Sequence, residues 1–245
     1  TFMRVAEEVA RVKPVIIVKS GTTAAGAKAA ASHTGSLAGS DRAYDAAFQQ
    51  CGVLRARTVQ ELFDYAIAFA NQPLPQGKRV VVVTNAGGPG ILCTDAIEKM
   101  GLELAPISDE LVEKLKTRMS PSSNFHNPVD VLGDAKADMY EFALSTLLED
   151  PNIDGIFNIV TPQTSTEIPE TAMVVAKMEE GTEKPILGVF MGGTLMQAGV
   201  NLLMSHDVPN YPFPERAVAA FKAMADYAAW RALPKEAPIV FSVDK

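Results

Sequence analysis

Runs of apolar residues alternate with amphipathic stretches along most of this chain. Residues 79–83 (RVVVV), 155–160 (GIFNIV) and 185–190 (PILGVF) are apolar over the length of a strand, which is typical of strands buried on both faces of a parallel sheet. Shorter strands are predicted at 102–105 and 129–132, and helices at 91–100, from Ser108 onwards, and at 137–149, 170–178, 195–204 and 214–230. This alternation predicts an α/β fold with parallel sheets and helices on both faces.

The beginning of the chain shows the same rhythm with an unusual interruption. Residues 14–19 (PVIIVK) are predicted to form a buried strand. Residues 20–40 consist of small and polar residues with one large apolar side chain, Leu37. Because such a stretch can bury little surface, we expect it to be loop-like.

Capping residues predict two helices after this stretch. Ser40 is a good N-cap for a helix that Gly52 would end. Thr58 and Glu61 have the spacing of a capping box, which predicts that a second helix begins there. Residues 71–78 (NQPLPQGK) are polar and contain two prolines and a glycine, which indicates a domain boundary.

Composition excludes several function classes. The chain has 47% hydrophobic and 21% charged residues and a formal charge of -7, so it can build a sizeable core and lacks the clustered cations that bind nucleic acid. Cys51 and Cys93 are far apart, which disfavours a disulfide framework or zinc site and fits a reducing cytoplasm. Neither a membrane span nor a signal peptide is predicted. The abrupt start at Thr1 suggests a piece of a longer protein.

Two polar loops follow predicted strands and could carry chemistry. Ligands of parallel α/β folds bind at the carboxyl ends of strands. Residues 84–90 (TNAGGPG) are glycine-rich and precede a helix, so they either bind an anion or form a tight turn. Residues 161–167 (TPQTSTE) offer hydroxyl and amide groups to a phosphate or substrate oxygen, or are simply a solvated loop.

His33 lies in the run 32–41 (SHTGSLAGSD), among hydroxyl residues and glycines. A nucleophile elbow does not accompany it, and His126 and His206 do not complete a visible metal site. The open alternatives are a covalent phosphate carrier and a surface-loop histidine. Cys93 is interpreted as a packing residue rather than a catalytic one. Asp130 and Asp134 are interpreted either as an acid pair or as residues that orient a turn or bridge domains.

Several motifs in register resemble one protein family. The runs 14–21 (PVIIVKSG), 32–41, 84–90, 127–135 (NPVDVLGDA) and 161–163 (TPQ) resemble the ADP-forming acetyl-CoA synthetases, also called NDP-forming acyl-CoA synthetases. This family is related to the succinyl-CoA synthetases, and the similarity runs through nearly the whole chain. It implies succinyl-CoA synthetase-like, flavodoxin-like domains.

The resemblance also implies domain boundaries. Residues 1–72 would be the C-terminal part of the phosphohistidine domain, and 73–77 a linker. Residues 78–233 would form a second, ligase-CoA-like flavodoxin domain, and 234–245 a tail or linker.

The resemblance further implies a mechanism and a set of site residues. Phosphate passes between ATP or ADP and an acyl phosphate through a histidine, here His33, and CoA exchanges with phosphate on the acyl group. Relatives hold the phosphate between the N-termini of two helices, one of which would follow residues 161–167. The implied phosphate- and acyl-binding residues are Asn85, Ala86, Gly87, Gly88, Gly90, Thr161, Pro162, Gln163 and Thr164. The implied supports of the histidine loop are Ser32, Thr34, Gly35 and Ser36.

The same resemblance predicts what this chain needs from elsewhere. The Rossmann CoA-binding domain and the ATP-grasp domains would belong to the same polypeptide or to a partner subunit. This chain alone should therefore hold no cofactor, and CoA and Mg-ATP or Mg-ADP would bind in the complete ligase. Acetate or another small carboxylic acid is the expected acyl substrate. A metal site and a nucleic-acid or membrane partner are not expected. The alternative is a non-catalytic ligand-sensing or scaffold module of a synthetase-like fused protein such as an acyltransferase.

Overall fold

Two parallel sheets organise the molecule, in a computed structural model that describes residues 2–34 and 40–234, and their side chains except those of residues 33 and 34. The strands are β1 Ile16–Val18, β2 Leu54–Ala56, β3 Arg79–Thr84, β4 Glu103–Leu104, β5 Val129–Asp130, β6 Gly155–Val160 and β7 Ile186–Phe190. The helices are α1 Phe2–Ala10, α2 Ala24–Thr34, α3 Asp41–Gln50, α4 Val59–Asn71, α5 Gly87–Lys99, α6 Asp109–Lys116, α7 Ala137–Leu148, α8 Ile168–Glu180, α9 Gln197–Ser205 and α10 Pro214–Ala232. The predicted α/β class with parallel sheets and flanking helices is confirmed.

The first sheet pairs β1 with β2, and the larger sheet has the order β4-β3-β6-β7. β6 pairs with β3 along one edge of β3. On the other edge, β4 pairs with the beginning of β3 and β5 pairs with its end. The side-chain amide of Asn127 fills the gap between these two pairings: its oxygen accepts from the Val82 N–H at 3.0 Å, and its nitrogen donates to the Val80 carbonyl at 2.8 Å. One side chain thus replaces a peptide unit in the ladder.

The large sheet is buried on both faces, as its apolar strands predict. Val81 and Val83 face a core shared with α6, α7, α8 and α9, whereas Val80 and Val82 face one shared with α4, α5 and α10. The outer edge of β7 is closed by side chains as well as backbone. The Ile186 N–H donates to the Gln72 side chain at 2.7 Å, and the Phe190 N–H donates to the Asn210 side chain at 2.9 Å. Covering this edge removes free strand groups.

Helix α10 connects the large sheet to the smaller one. Tyr211, which precedes α10, donates to the Asp64 carbonyl of α4 at 2.9 Å, and Arg216 forms a bidentate ion pair with the Asp64 carboxylate. Further along the helix, the Tyr227 hydroxyl donates to the Ala10 carbonyl at 2.7 Å. Trp230 packs against Gly52, whose φ of +70° suits glycine and which leaves no room for a side chain.

The expectation of a loop over residues 20–40 is wrong, because Ala24–Thr34 is helical. Six of these eleven residues are alanine, the strongest helix former. The lack of large apolar side chains limits burial, not backbone conformation. Sequence reasoning also overlooked α1 and β2.

Three further predictions are corrected in detail. Helix α5 begins at Gly87 rather than at residue 91, so the glycines form its first turn rather than a long loop. The predicted helix 195–204 is a 3-10 turn, Gly193–Met196, followed by α9. Ser40 precedes α3 as predicted, but its side chain makes no capping hydrogen bond.

Two other local predictions, on Thr58 and on Cys93, are confirmed, the capping box only in the first of its two bonds. The Thr58 hydroxyl accepts from the Glu61 N–H at 3.0 Å, although the Glu61 carboxylate returns to the Arg57 N–H at 2.6 Å rather than to Thr58 itself. Cys93 is fully buried in the core between α5 and the sheet. Within the described ranges, no helix is both long and apolar enough to cross a membrane.

Candidate functional site

Most of the predicted binding residues lie at the carboxyl edge of the large sheet. The connection from β3 to α5 meets the one from β6 to α8 there, and the residues after β5 lie beside them. Parallel strands present their carboxyl ends on the same side of a sheet, which is why motifs far apart in sequence converge.

Asn85 is the hydrogen-bonding centre of this edge. It is buried, and its amide nitrogen donates to the Thr161 carbonyl at 2.9 Å and to the Thr166 hydroxyl at 3.3 Å. Its amide oxygen accepts from the Thr161 N–H at 2.9 Å and from the Thr161 hydroxyl at 3.1 Å. All four hydrogen-bonding positions of the amide are thereby used. Asn85 therefore ties the two connections together, and its side-chain amide has no position left for a ligand.

The connection after β6 is held by its own side chains. The Gln163 amide nitrogen donates to the Thr161 hydroxyl at 3.1 Å, and the Thr166 hydroxyl accepts from the Gln163 N–H at 3.0 Å. Thr166, which sequence reasoning left outside the predicted binding set, thus helps to hold this connection in shape. Gln163 and Thr164 are exposed, while Pro162 is half-buried and packs close to Gly192. Thr164, Ser165 and the unused hydrogen-bonding positions of Gln163 are the polar groups that stay accessible here.

The first turn of α5 presents backbone rather than side chains. Ala86, its N-cap, makes no side-chain capping bond, and Gly87 and Gly88 are exposed. Gly90 allows this turn to lie close to the sheet, since a β-carbon there would come within 3.1 Å of Thr84 and 3.6 Å of Pro128. The first N–H groups of a helix lack intrahelical acceptors and attract anions. No acidic residue lies in this first turn.

The N-terminus of α8 has a different charge. Glu167 is its N-cap and Glu170 lies in its first turn. The Glu167 carboxylate accepts from the Ala137 N–H at 3.3 Å and pairs with Lys136 at 3.4 Å. Carboxylates at this end already satisfy the helix dipole and would repel a phosphate. By the acidic residues within each first turn, the start of α5 is the better anion site of the two.

Asp130 lies beside the glycines as the last residue of β5. One carboxylate oxygen accepts from the Leu132 N–H at 2.9 Å, so it orients the following turn, as one of its two interpretations predicts. The other oxygen lies 3.8 Å from the position of a β-carbon on Gly87. Burial, with a smaller contribution from the Asp130 charge, raises the pKa of Tyr140, whose hydroxyl donates to the Ile159 carbonyl at 3.4 Å.

His33 belongs to the last turn of α2, in the other part of the molecule. Ser32, one of its predicted supports, donates its hydroxyl back to the Ala29 carbonyl at 2.7 Å. The side chains of His33 and Thr34, and residues Gly35 and Ser36, lie outside the described residues. The arrangement of the histidine with the glycine turn therefore stays a prediction.

Two domain families match the chain in succession. The succinyl-CoA ligase like flavodoxin domain matches residues 1–69, and the ligase-CoA domain matches residues 80–234. This chain belongs to the ADP-forming acyl-CoA synthetase family. The resemblance drawn from the motifs is thereby confirmed.

The relatives are acyl-CoA ligases. The chain is 43% identical to the alpha subunit of acetate–CoA ligase [ADP-forming] I from Pyrococcus furiosus over 96% of its own length, which is 51% of that subunit. It is 36% identical to 4-hydroxybutyrate–CoA ligase [ADP-forming] from Nitrosopumilus maritimus, over 94% of its length and 33% of that protein. The chain thus spans about half of the acetate–CoA ligase subunit and a third of the 4-hydroxybutyrate–CoA ligase.

A solved structure shows the same fold. The dinucleotide-forming acetyl-coenzyme A synthetase 1 of Ca. Korarchaeum cryptofilum, in complex with phosphate and ADP, superposes with a TM-score of 0.88 at 36% identity. The match covers 94% of this chain and 50% of that one. The order and orientation of the elements are therefore those of the synthetase family.

Proposed function

We propose that this chain is part of an ADP-forming acyl-CoA synthetase in which His33 carries phosphate. The observation that supports this most is the 43% identity over 237 residues. A match of that length within 245 residues necessarily includes the region of His33. The relatives named above are ligases, which favours this function over a ligand-sensing module of an acyltransferase.

The proposed reaction runs in three transfers. An imidazole nitrogen of His33 attacks the γ-phosphorus of ATP, and the P–N bond forms as the P–O bond to ADP breaks. The phosphoryl group then passes to a carboxylate oxygen of the acid, which gives an acyl phosphate and frees the imidazole. Finally the sulfur of CoA, having lost its proton, displaces phosphate and forms the thioester. Each step is reversible, so the same residues serve ATP synthesis.

The glycine turn fits the anionic stage of this sequence. A phosphate or acyl carboxylate at the start of α5 would accept hydrogen bonds from the N–H groups of Gly87 and Gly88. Asn85 and Thr161 would hold the two connections in place. Acetate or another small acid, CoA, Mg-ATP and phosphate would be the ligands, and Rossmann and ATP-grasp domains of the same chain or a partner subunit would complete the site. Because Cys51 and Cys93 are both free thiols, we place the protein in the reducing cytoplasm.

Phosphate labelling of the full-length parent protein tests this proposal. After incubation with ATP labelled at its γ-phosphate and magnesium, wild type should hold label that is lost in acid and kept in base. His33→Asn should hold none. His126→Asn and His206→Asn, which change the other two histidines, serve as matched controls and should keep it. Wild type that takes no label from ATP, nor from acyl-CoA with phosphate, would overturn the catalytic function in favour of the sensor module.

A further inference from the structure

We propose that Arg55 is a positioning residue for His33, because it fixes the point at which the histidine-bearing segment rejoins the fold. The inference rests on the proposed function of His33. The segment, residues 19–40, leaves the sheet after β1 and returns at the start of α3. Arg55 is the central residue of β2.

Packing holds the middle of this segment only in part. None of the residues described in α2, 24–32, is fully buried, and Gly26, Ala27, Ala30 and Ala31 are half-buried. Alanine and serine side chains offer little surface to bury, and short isolated helices are marginal in water. The position of His33 therefore also depends on how the two ends of the segment are fastened.

Arg55 fastens the returning end by two charged hydrogen bonds. One terminal nitrogen donates to the Asp41 carboxylate at 2.5 Å, and the other donates to the Asp45 carboxylate at 2.6 Å. The Arg55 side chain is only 7% exposed. Asp41 is the first residue of α3, and Ser40 provides no side-chain cap. The contacts of Arg55 thus attach this helix start to β2 through its first acidic side chains.

The same arginine also lies next to the departing end. In the two-stranded sheet, Arg55 pairs in register with Ile17 of β1, two residues before Lys19. The Lys19 ammonium lies 4.7 Å from the centre of the Tyr44 ring on α3, which joins the departing chain to the returning helix. The departing strand and the returning helix are thus joined close to Arg55. We call the three residues Arg55, Asp41 and Asp45 the Arg55 clamp.

The planar guanidinium is what permits this geometry. Its two terminal nitrogens point in fixed directions and serve two carboxylates at once, whereas a lysine offers one compact charge. The hydrogen bond from Arg55 also lowers the pKa of Asp45, which keeps that partner ionised. Arg55→Lys therefore retains the charge and loses the double attachment.

Single-turnover labelling of His33 in the full-length parent tests the role. Arg55→Lys should slow label transfer from ATP and lower kcat by about tenfold, with the KM values for ATP, CoA and the acid within about twofold of wild type. Arg79→Lys is the matched control. Arg79 binds the buried Asp154 carboxylate through two nitrogens, both at 3.0 Å. It is the first residue of β3 in the large sheet, at the end of the strand away from the carboxyl edge. Arg79→Lys should change kcat less than twofold.

Hydrogen exchange separates the clamp from the chemistry. Amides of α3 nearest Asp41 should exchange about fivefold faster in Arg55→Lys than in wild type, and at the wild-type rate in Arg79→Lys. Equal exchange in Arg55→Lys, or unchanged kcat in a folded variant, overturns the positioning role. If wild type takes no label, the proposed function of His33 fails instead, and the positioning inference fails with it even where exchange still shows a clamp.

Discussion

Replacing Arg216 by methionine should destabilise the protein strongly, because it leaves a buried charge without its partner. The Asp64 carboxylate is 5% exposed and accepts from two Arg216 nitrogens at 2.7 and 2.6 Å. Removing one partner of a buried pair costs about 3–5 kcal/mol. Gln60 still donates to this carboxylate at 3.0 Å, and Arg216 itself is 32% exposed. We therefore expect a loss of about 2–4 kcal/mol in the free energy of unfolding.

Urea unfolding followed by circular dichroism measures this loss. Asp64→Leu combined with Arg216→Met should recover part of it, since the double variant leaves no unpaired charge. Arg118→Met is the control, because Arg118 and Asp138 form an exposed pair at 3.3 Å and should contribute less than about 1 kcal/mol. Additive effects of the two substitutions, or an Arg216→Met variant as stable as the control, would refute the reasoning.

Three further outcomes are expected from buried groups. Asn127→Leu leaves the Val82 N–H without its acceptor and should lower the free energy of unfolding by about 1–3 kcal/mol in urea; an unchanged midpoint would contradict it. Burial raises the pKa of the Cys51 and Cys93 thiols, so neither should react with a disulfide reagent at neutral pH until denaturant is added. Burial raises the pKa of Tyr65 from its usual 10 to about 12. Above pH 10 the unfolded chain loses this proton first, so stability should fall between pH 10 and 12 by at most about 1.4 kcal/mol per pH unit for this group, and a flat urea midpoint would count against it.

The large sheet was predictable because its signals are local. β6 is apolar apart from Asn158, and a run of this kind is typical of a strand buried on both faces of the sheet in an α/β fold. Helix α2 was missed because the same reasoning was applied to a segment in which no described residue is fully buried. Its alanines favour a helix through backbone propensity, which an argument from burial does not detect. The beginning of α5 was misplaced for a related reason, since glycines were read as loop residues.

The motifs predicted which residues meet at this edge of the sheet but not how their side chains are hydrogen-bonded. The motifs named Asn85 and Thr161, and the fold does bring them together. Their bonds join positions 76 residues apart, and no local pattern shows that an amide is already occupied by such a partner. The acidic residues Glu167 and Glu170 were visible in the sequence, but their effect depends on the helix start that they occupy.

Helix α10 determines how the two sheets can act on each other. α4 precedes the predicted linker 73–77, yet its Ala68 lies in a core of the large sheet and its Asp64 binds Arg216. At the other end of α10, the Arg11 guanidinium lies 4.5 Å from the centre of the Trp230 ring. Contacts at both ends of a 19-residue helix resist rotation between the sheets better than one contact can. A phosphate carrier on the small sheet would then be positioned by local attachments such as the Arg55 clamp, because α10 already fixes the sheet that carries it.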